Sequence, residues 1–172
     1  MSALADRVWT GIPDAATVLV PVGSTEQHGP HLPLDTDTVI AEAVCRRVAE
    51  LLDDPAVLAA PAIAFGSSGE HQDFPGTASI GTETLRLVAV ELVRSLRTWA
   101  QRVVFINGHG GNVVALTGAL DQLRQEGHDV EWLPCAAADV DPHAGHSDTG
   151  EITRDDVLVP DGFERVLGAP RS

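Results

Sequence analysis

Residues 23–37, GSTEQHGPHLPLDTD, hold Glu26, His28, His31 and Asp37, four side chains able to bind a metal ion, in one short stretch. Glu26 and His28 are two positions apart, so in an extended segment they point to the same side. The Gly29-Pro30 pair then bends the chain and Pro33 stiffens its return, a path that brings Asp37 back towards them. Oxygen and nitrogen donors without thiolate suit zinc, iron or manganese, and a carboxylate such as Asp37 can bridge two ions. Taken alone, the stretch reads equally well as a polar loop whose histidines face water.

Further candidates stand in similar places. Residues 103–106, VVFI, form a short apolar β-rich run that leads into NGHGGN at 107–112, so His109 lies just past the carboxyl end of an expected strand. His143, His146 and Asp148, in HAGHSD, follow another expected strand at 130–133. Open α/β sheets gather their sites at those strand ends. The alternative for 107–112 is a phosphate-binding turn, but GHGGN matches neither the dinucleotide nor the P-loop glycine spacing, and a central histidine has no phosphate role in either. The glycines are expected to let backbone approach a metal ion or a substrate carbonyl.

The elements that must position these groups alternate. Residues 17–22 form a first strand that delivers the Glu26 loop. Val39, Ile40, Ala43, Val44, Val48, Leu51 and Leu52 then recur at helical spacing, with Thr36 or Asp37 able to cap the start and Asp53-Asp54-Pro55 closing the end. If Asp37 binds metal, its place at the helix entry also favours its ionised form. A second strand over 57–65 runs into GSSGEH, which puts Glu70 and His71 on the same rim, as surface groups or as substrate contacts. The spacing predicts a helix over 82–100, with Leu85, Val88, Ala89, Leu92, Leu96 and Trp99 on one stripe and Arg86, Arg94 and Arg97 on the other. The strand over 103–106, a helix over 113–126 ended by Gly127, and the strand over 130–133 follow. Four strands alternating with helices predict a three-layer α/β fold, a mostly parallel sheet covered by helices on both faces.

Composition excludes several functions. A length of 172 residues fits one domain. A formal charge of -14, with eleven arginines and no lysine, argues against a nucleic-acid or acidic-membrane partner and rules out Schiff-base and Walker-type lysine chemistry. Cys45 and Cys135 are too few and too scattered for a disulfide framework or a thiolate zinc site. Asp6 and Arg7 interrupt the start where a signal peptide needs an apolar core, and no run reaches the ~20 apolar residues of a membrane span. A cytoplasmic location is expected.

The segments GSTEQHGPHLPLDTDT, SGEHQDFPGTASIGTE and NGHGGN, with the later HAG, resemble the creatininase (creatinine amidohydrolase) family, most closely its mycofactocin-system branch, over about residues 18–148. The resemblance implies a creatininase-like α/β domain carrying two neighbouring divalent metal ions and assembled as a homo-oligomer. It implies metal ligation by Glu26, His28, Asp37 and His109, with Asp37 bridging. Creatininase takes a further glutamate from the glycine turn, where this chain has Gly111. Relatives with NGHGGN use the glutamate of an HAG-x-x-E-T motif, and Asp148, shorter by one methylene, occupies that place here. His143 is the candidate for proton transfer, because its motif places an imidazole beside the site. His31 is expected to stand behind the ligands rather than among them, His146 carries weaker support, and His128, after Gly127, reads as a surface residue.

The implied reaction is hydrolysis of an amide bond by a metal-activated water, with the modified C-terminal Val-Tyr unit of a precursor peptide as the branch's substrate. The residues' chemistry alone does not separate that from a small cyclic amide such as creatinine. Relatives continue past the HAG motif into a helix and a further region, whereas here an acidic tail ends at Ser172, so the domain is expected to be shortened after about residue 148. A non-catalytic oligomeric homologue is the alternative that this leaves open.

Overall fold

A computed structural model describes residues 3–135. Four strands, β1 (Thr17–Val22), β2 (Val57–Ala59), β3 (Arg102–Asn107) and β4 (Val130–Pro134), pair in the order β2-β1-β3-β4. All three pairings are parallel, with Thr17 opposite both Val57 and Arg102, and Val103 opposite Val130. The helices α1 (Thr36–Leu52), α2 (Thr82–Leu96) and α3 (Val113–Gln125) connect them. The chain leaves β1 towards one edge of the sheet and leaves β3 towards the other. Because crossover connections keep one hand, this reversal puts α1 on one face and α2 and α3 on the opposite face. The result is the expected three-layer arrangement.

Alternation along the central strands builds both interfaces. Val18, Val20, Val22, Val103 and Phe105 pack with Leu85, Val93, Leu116 and Leu120 of α2 and α3, while Leu19, Val104 and Ile106 pack with Val44, Cys45 and Val48 of α1. Strands buried on both faces read as continuous apolar runs, which is why β1 and β3 carry no polar alternation. No helix among the described residues is long and apolar enough to cross a membrane.

Several sequence-based boundaries and stripes shift. β2 stops at Ala59 rather than at residue 65, because Pro61 has no N–H to offer the ladder. The chain nevertheless stays alongside β1, with Ala60 N–H donating to Leu19 O, Ile63 N–H to Pro21 O and Gly23 N–H to Ile63 O. α2 ends at Leu96, so Trp99 falls outside it and is exposed, as is Val88, while Val90 and Val93 are buried in the wedge between sheet and α3. On α1, Val39 and Leu51 are exposed, while Cys45 and Ala49 join Val44 and Val48 against the sheet and Ala41 is also buried.

Candidate metal centre

The reversal of strand order between β1 and β3 opens a crevice at their carboxyl ends, the place where doubly wound sheets bind ligands. The loop after β1 brings Glu26 and His28 there, the first turn of α1 brings Asp37, and the turn after β3 brings His109. Two glycines permit the convergence. A Cβ on Gly108 would lie 2.4 Å from the main-chain oxygen of Asp37, and one on Gly23 would lie 2.5 Å from the Thr38 Cα. The amino end of α1 is therefore seated directly against the loops that follow the two central strands.

Asp37 is the hub. Its carboxylate accepts a hydrogen bond from Ser24 Oγ at 2.7 Å, faces His28 Nε2 at 2.9 Å through Oδ1, and faces His109 Nδ1 at 3.1 Å through Oδ2. It does not cap the helix; Asp35 occupies the cap position without a side-chain hydrogen bond, and Thr36 Oγ1 donates back to Pro33 O. Burial alone would raise the Asp37 pKa, but the hydrogen bonds from His109, Ser24 and His28 together outweigh it and hold the group below its ordinary value. His109 is the counterpart: burial would lower its pKa, and the hydrogen bond to Asp37, with the charge of Glu26, raises it. His28 Nδ1 contacts Glu26 O at 3.1 Å and His109 Nε2 contacts Ser67 O at 3.1 Å. Each ring is thus held through one nitrogen by main chain and presents the other to Asp37, the usual setting of metal-bound histidines.

Glu26 lies on the other side of His109. Its Oε2 is 3.3 Å from His109 Nε2, and its Oε1 is 3.5 Å from His71 Nε2. The side chain is 5% exposed, and Oε2 has no hydrogen-bond partner. A buried carboxylate oxygen without a donor is costly, and a cation beside it removes the cost. One donor atom each from Glu26, His28 and Asp37 lies within 4.8 Å of the others, so the residues fit a divalent ion. Cys45 and Cys135 do not compete for it. Burial pushes both thiols up, Cys135 to about 12 with help from the Asp37 charge, so neither supplies a thiolate.

Residues that spacing did not single out knit the loops together. Asn112 donates to Gly23 O at 2.9 Å and to Asn107 Oδ1 at 3.2 Å, and its own Oδ1 accepts from Ser67 N–H at 2.9 Å. One buried amide therefore ties the loops after β1, β2 and β3. Asn107 closes the turn, donating to His109 O at 2.8 Å. The only available signal was that asparagines flank the glycine turn in NGHGGN.

The structure brings Glu26, His28, Asp37 and His109 together and sets Glu70 and His71 beside them. His31 is exposed on the turn that precedes Leu32. His143, His146 and Asp148 lie outside the described residues.

Comparison with known proteins gives a consistent picture. The family model for creatinine amidohydrolase matches residues 5–155. The chain is 57% identical over 148 residues to the mycofactocin precursor peptide peptidase of Mycolicibacterium smegmatis, covering 83% of this chain and 60% of that one. It spans about three fifths of the length of the curated relatives it matches. Among solved structures it is similar to a manganese creatininase, with a TM-score of 0.64 at 30% identity over 78% of this chain and 58% of the other. It is also similar to a mutant creatininase of Zn-Zn type, with a TM-score of 0.66 at 28% identity over 90% of this chain and 67% of the other.

Proposed function

Since the chain belongs to the creatininase family, we propose that it is a metal-dependent amidohydrolase acting as a peptidase on a modified peptide. The expected substrate is the mycofactocin precursor peptide, cleaved to release its modified C-terminal Val-Tyr unit. The observation that carries the reading is Asp37, which presents one carboxylate oxygen to His28 and the other to His109 while Glu26 Oε2, 3.3 Å from His109 Nε2, stays buried without a hydrogen bond. A carboxylate placed so could be shared between two cations. Glu26, His28, Asp37 and His109 would hold two divalent ions, zinc, iron or manganese, with Asp148 expected as a fifth ligand. Such ions would supply an acidified water and a polarised scissile carbonyl.

The protein's own groups do the rest. Ser24, by donating to Asp37, and Ser67, by accepting from His109, fix the ligand set before substrate arrives, which removes reorganisation from the reaction. His143 gives a proton to the leaving nitrogen, so that an amine and not an amide anion departs. No serine or cysteine nucleophile is required. Incubating the metal-loaded protein with the modified precursor peptide and following the products by mass spectrometry tests the reading. Release of the Val-Tyr unit by the wild type and its loss in Asp37→Ala is the expected result; an intact peptide with fully loaded protein refutes it.

A further inference from the structure

On the more open side of the crevice, Glu26, Glu70 and His71 each place one donor atom within 4.8 Å of the other two. By residue type the three could be read as a cation seat of their own, and the amide behind the imidazole decides against it. Gly29 N–H can only donate, and it donates to Gln27 Oε1 at 2.9 Å. The Gln27 amide nitrogen is therefore the atom 3.1 Å from His71 Nδ1. An amide nitrogen only donates, so Nδ1 accepts, and the one proton of a neutral imidazole is left on Nε2. Nε2 is the atom that lies 3.5 Å from Glu26 Oε1. His71 thus turns an N–H, not a lone pair, towards the carboxylate.

The ring is held in that attitude from two further sides. His71 N–H donates to Ser68 O at 3.1 Å, and the ring of Phe74 meets the imidazole edge-on, at 63° with centroids 6.1 Å apart. Glu26 has more need of such a neighbour than an exposed carboxylate would. Its side chain is 5% exposed, so protein groups rather than water set its orientation, and its Oε2 lies 3.3 Å from His109 Nε2, whose own proton faces Ser67 O.

We propose that His71 is a positioning residue for Glu26, with Gln27 setting where its proton sits. The neutral ring stays off the metal, attracts Oε1 through its Nε2–H and leaves Oε2 as the oxygen that meets a cation. At 3.5 Å the contact is longer than a direct hydrogen bond and acts as the pull of an N–H dipole on a carboxylate charge. The inference rests on the metal-dependent reading above and deepens it, by giving a part to two side chains outside the ligand set. Glutamine at position 71 would carry an amide N–H to the place of Nε2, whereas leucine there would carry none.

The test joins two measurements on the full-length protein. The first is ring-nitrogen NMR of histidine-labelled protein at about pH 8, where free imidazoles are neutral; the His71 signals are those that vanish in His71→Gln. Nε2 should carry the proton in chelator-treated and in zinc-loaded wild type alike, and an Nε2 stripped of its proton on loading would make His71 a ligand and overturn the inference. The second is zinc affinity, by competition with a chromophoric chelator, with circular dichroism to confirm folding. His71→Leu should bind zinc about 10- to 100-fold more weakly, as proteins do when a group behind a metal ligand is lost, and His71→Gln should stay within about threefold of wild type. Gln27→Leu should fall between them, and reads the same effect should His71→Leu not fold; wild-type affinity there would overturn the part given to Gln27. Wild-type affinity in His71→Leu, or equal losses in His71→Leu and His71→Gln, would overturn the positioning role alone. A wild type that takes up no zinc would overturn the metal-dependent reading, and this inference with it, before any variant is compared.

Discussion

The Nε2 of His109 lies 3.1 Å from the main-chain oxygen of Ser67, and that contact decides how the ring meets the rest of the centre. A carbonyl can only accept, so Nε2 carries a proton and Nδ1 is left facing Asp37. In metal-free protein the ring takes up a second proton readily, because Asp37 and Glu26 stand against it and outweigh the effect of its burial.

A pH dependence follows for the chelator-treated protein. The His109 pKa is raised above its ordinary value of about 6.5, so its stabilising contribution is full below that pH and is lost as pH rises through the folded value. Asp37 is lowered from about 3.8, so its contribution is present above that pH and is lost in acid below it. Thermal unfolding should show the highest Tm between about pH 4 and 6.5, and His109→Gln should flatten the alkaline limb. An alkaline limb unchanged in that variant would refute the assignment.

Asp37→Ala should cost the protein most of any bound metal, because both histidines lose their common partner and the proposed centre loses the carboxylate between them. Elemental analysis of protein purified without chelator provides the check. Metal content equal to wild type would count against Asp37 as the hub.

His143→Ala and His109→Ala should separate two roles. The first should lower amide turnover about 10²- to 10⁴-fold with metal retained, as loss of a proton donor does. The second should lose metal and turnover together. If His143→Ala lost its metal, that histidine would be a ligand instead.

Gly108→Ala and Gly110→Ala should behave oppositely despite their near adjacency. The new methyl at 108 would press on the main-chain oxygen of Asp37 at 2.4 Å, whereas at 110 nothing lies within 4 Å. A loss of about 1–3 kcal/mol in urea unfolding is expected for Gly108→Ala, and little change for Gly110→Ala.

The protein should self-associate. Val8 and Trp9 are 70% and 87% exposed near the amino end, and Val114 is 71% exposed on α3. Sedimentation at micromolar concentration giving only monomer would be the contrary result.

Much of the frame was legible because it depends on local pattern. The apolar runs of β1 and β3 and the caps around α3 place those elements to within a residue or so. β2 was overextended because the apolar stretch continues past Pro61, and only pairing with β1 shows where the ladder stops. The stripe of α1 was legible at Val44 and Val48, which are buried against the sheet; it failed at Val39 and Leu51, which are exposed, and it passed over the small buried residues Ala41, Cys45 and Ala49. At the crevice, residue type and spacing put Glu26, His28, His31 and Asp37 in one stretch and His109 past a strand end, and the family resemblance narrowed these to Glu26, His28, Asp37 and His109. Asn112 was not legible, since it works by hydrogen bonds to Gly23 and Ser67, positions 89 and 45 residues away.

The buried and the more open groups of the crevice hang on different parts of the chain. Glu26, His28, Asp37 and His109 are rooted in the two central strands and the first turn of α1, under which the largest buried side chains lie. Glu70 and His71 are carried by a three-residue turn between β2 and α2 that contributes no buried residue of its own. The turn can be rewritten without disturbing the core. A lineage could exchange one substrate preference for another there while the fold and the buried cluster beneath it pass unchanged from ancestor to descendant.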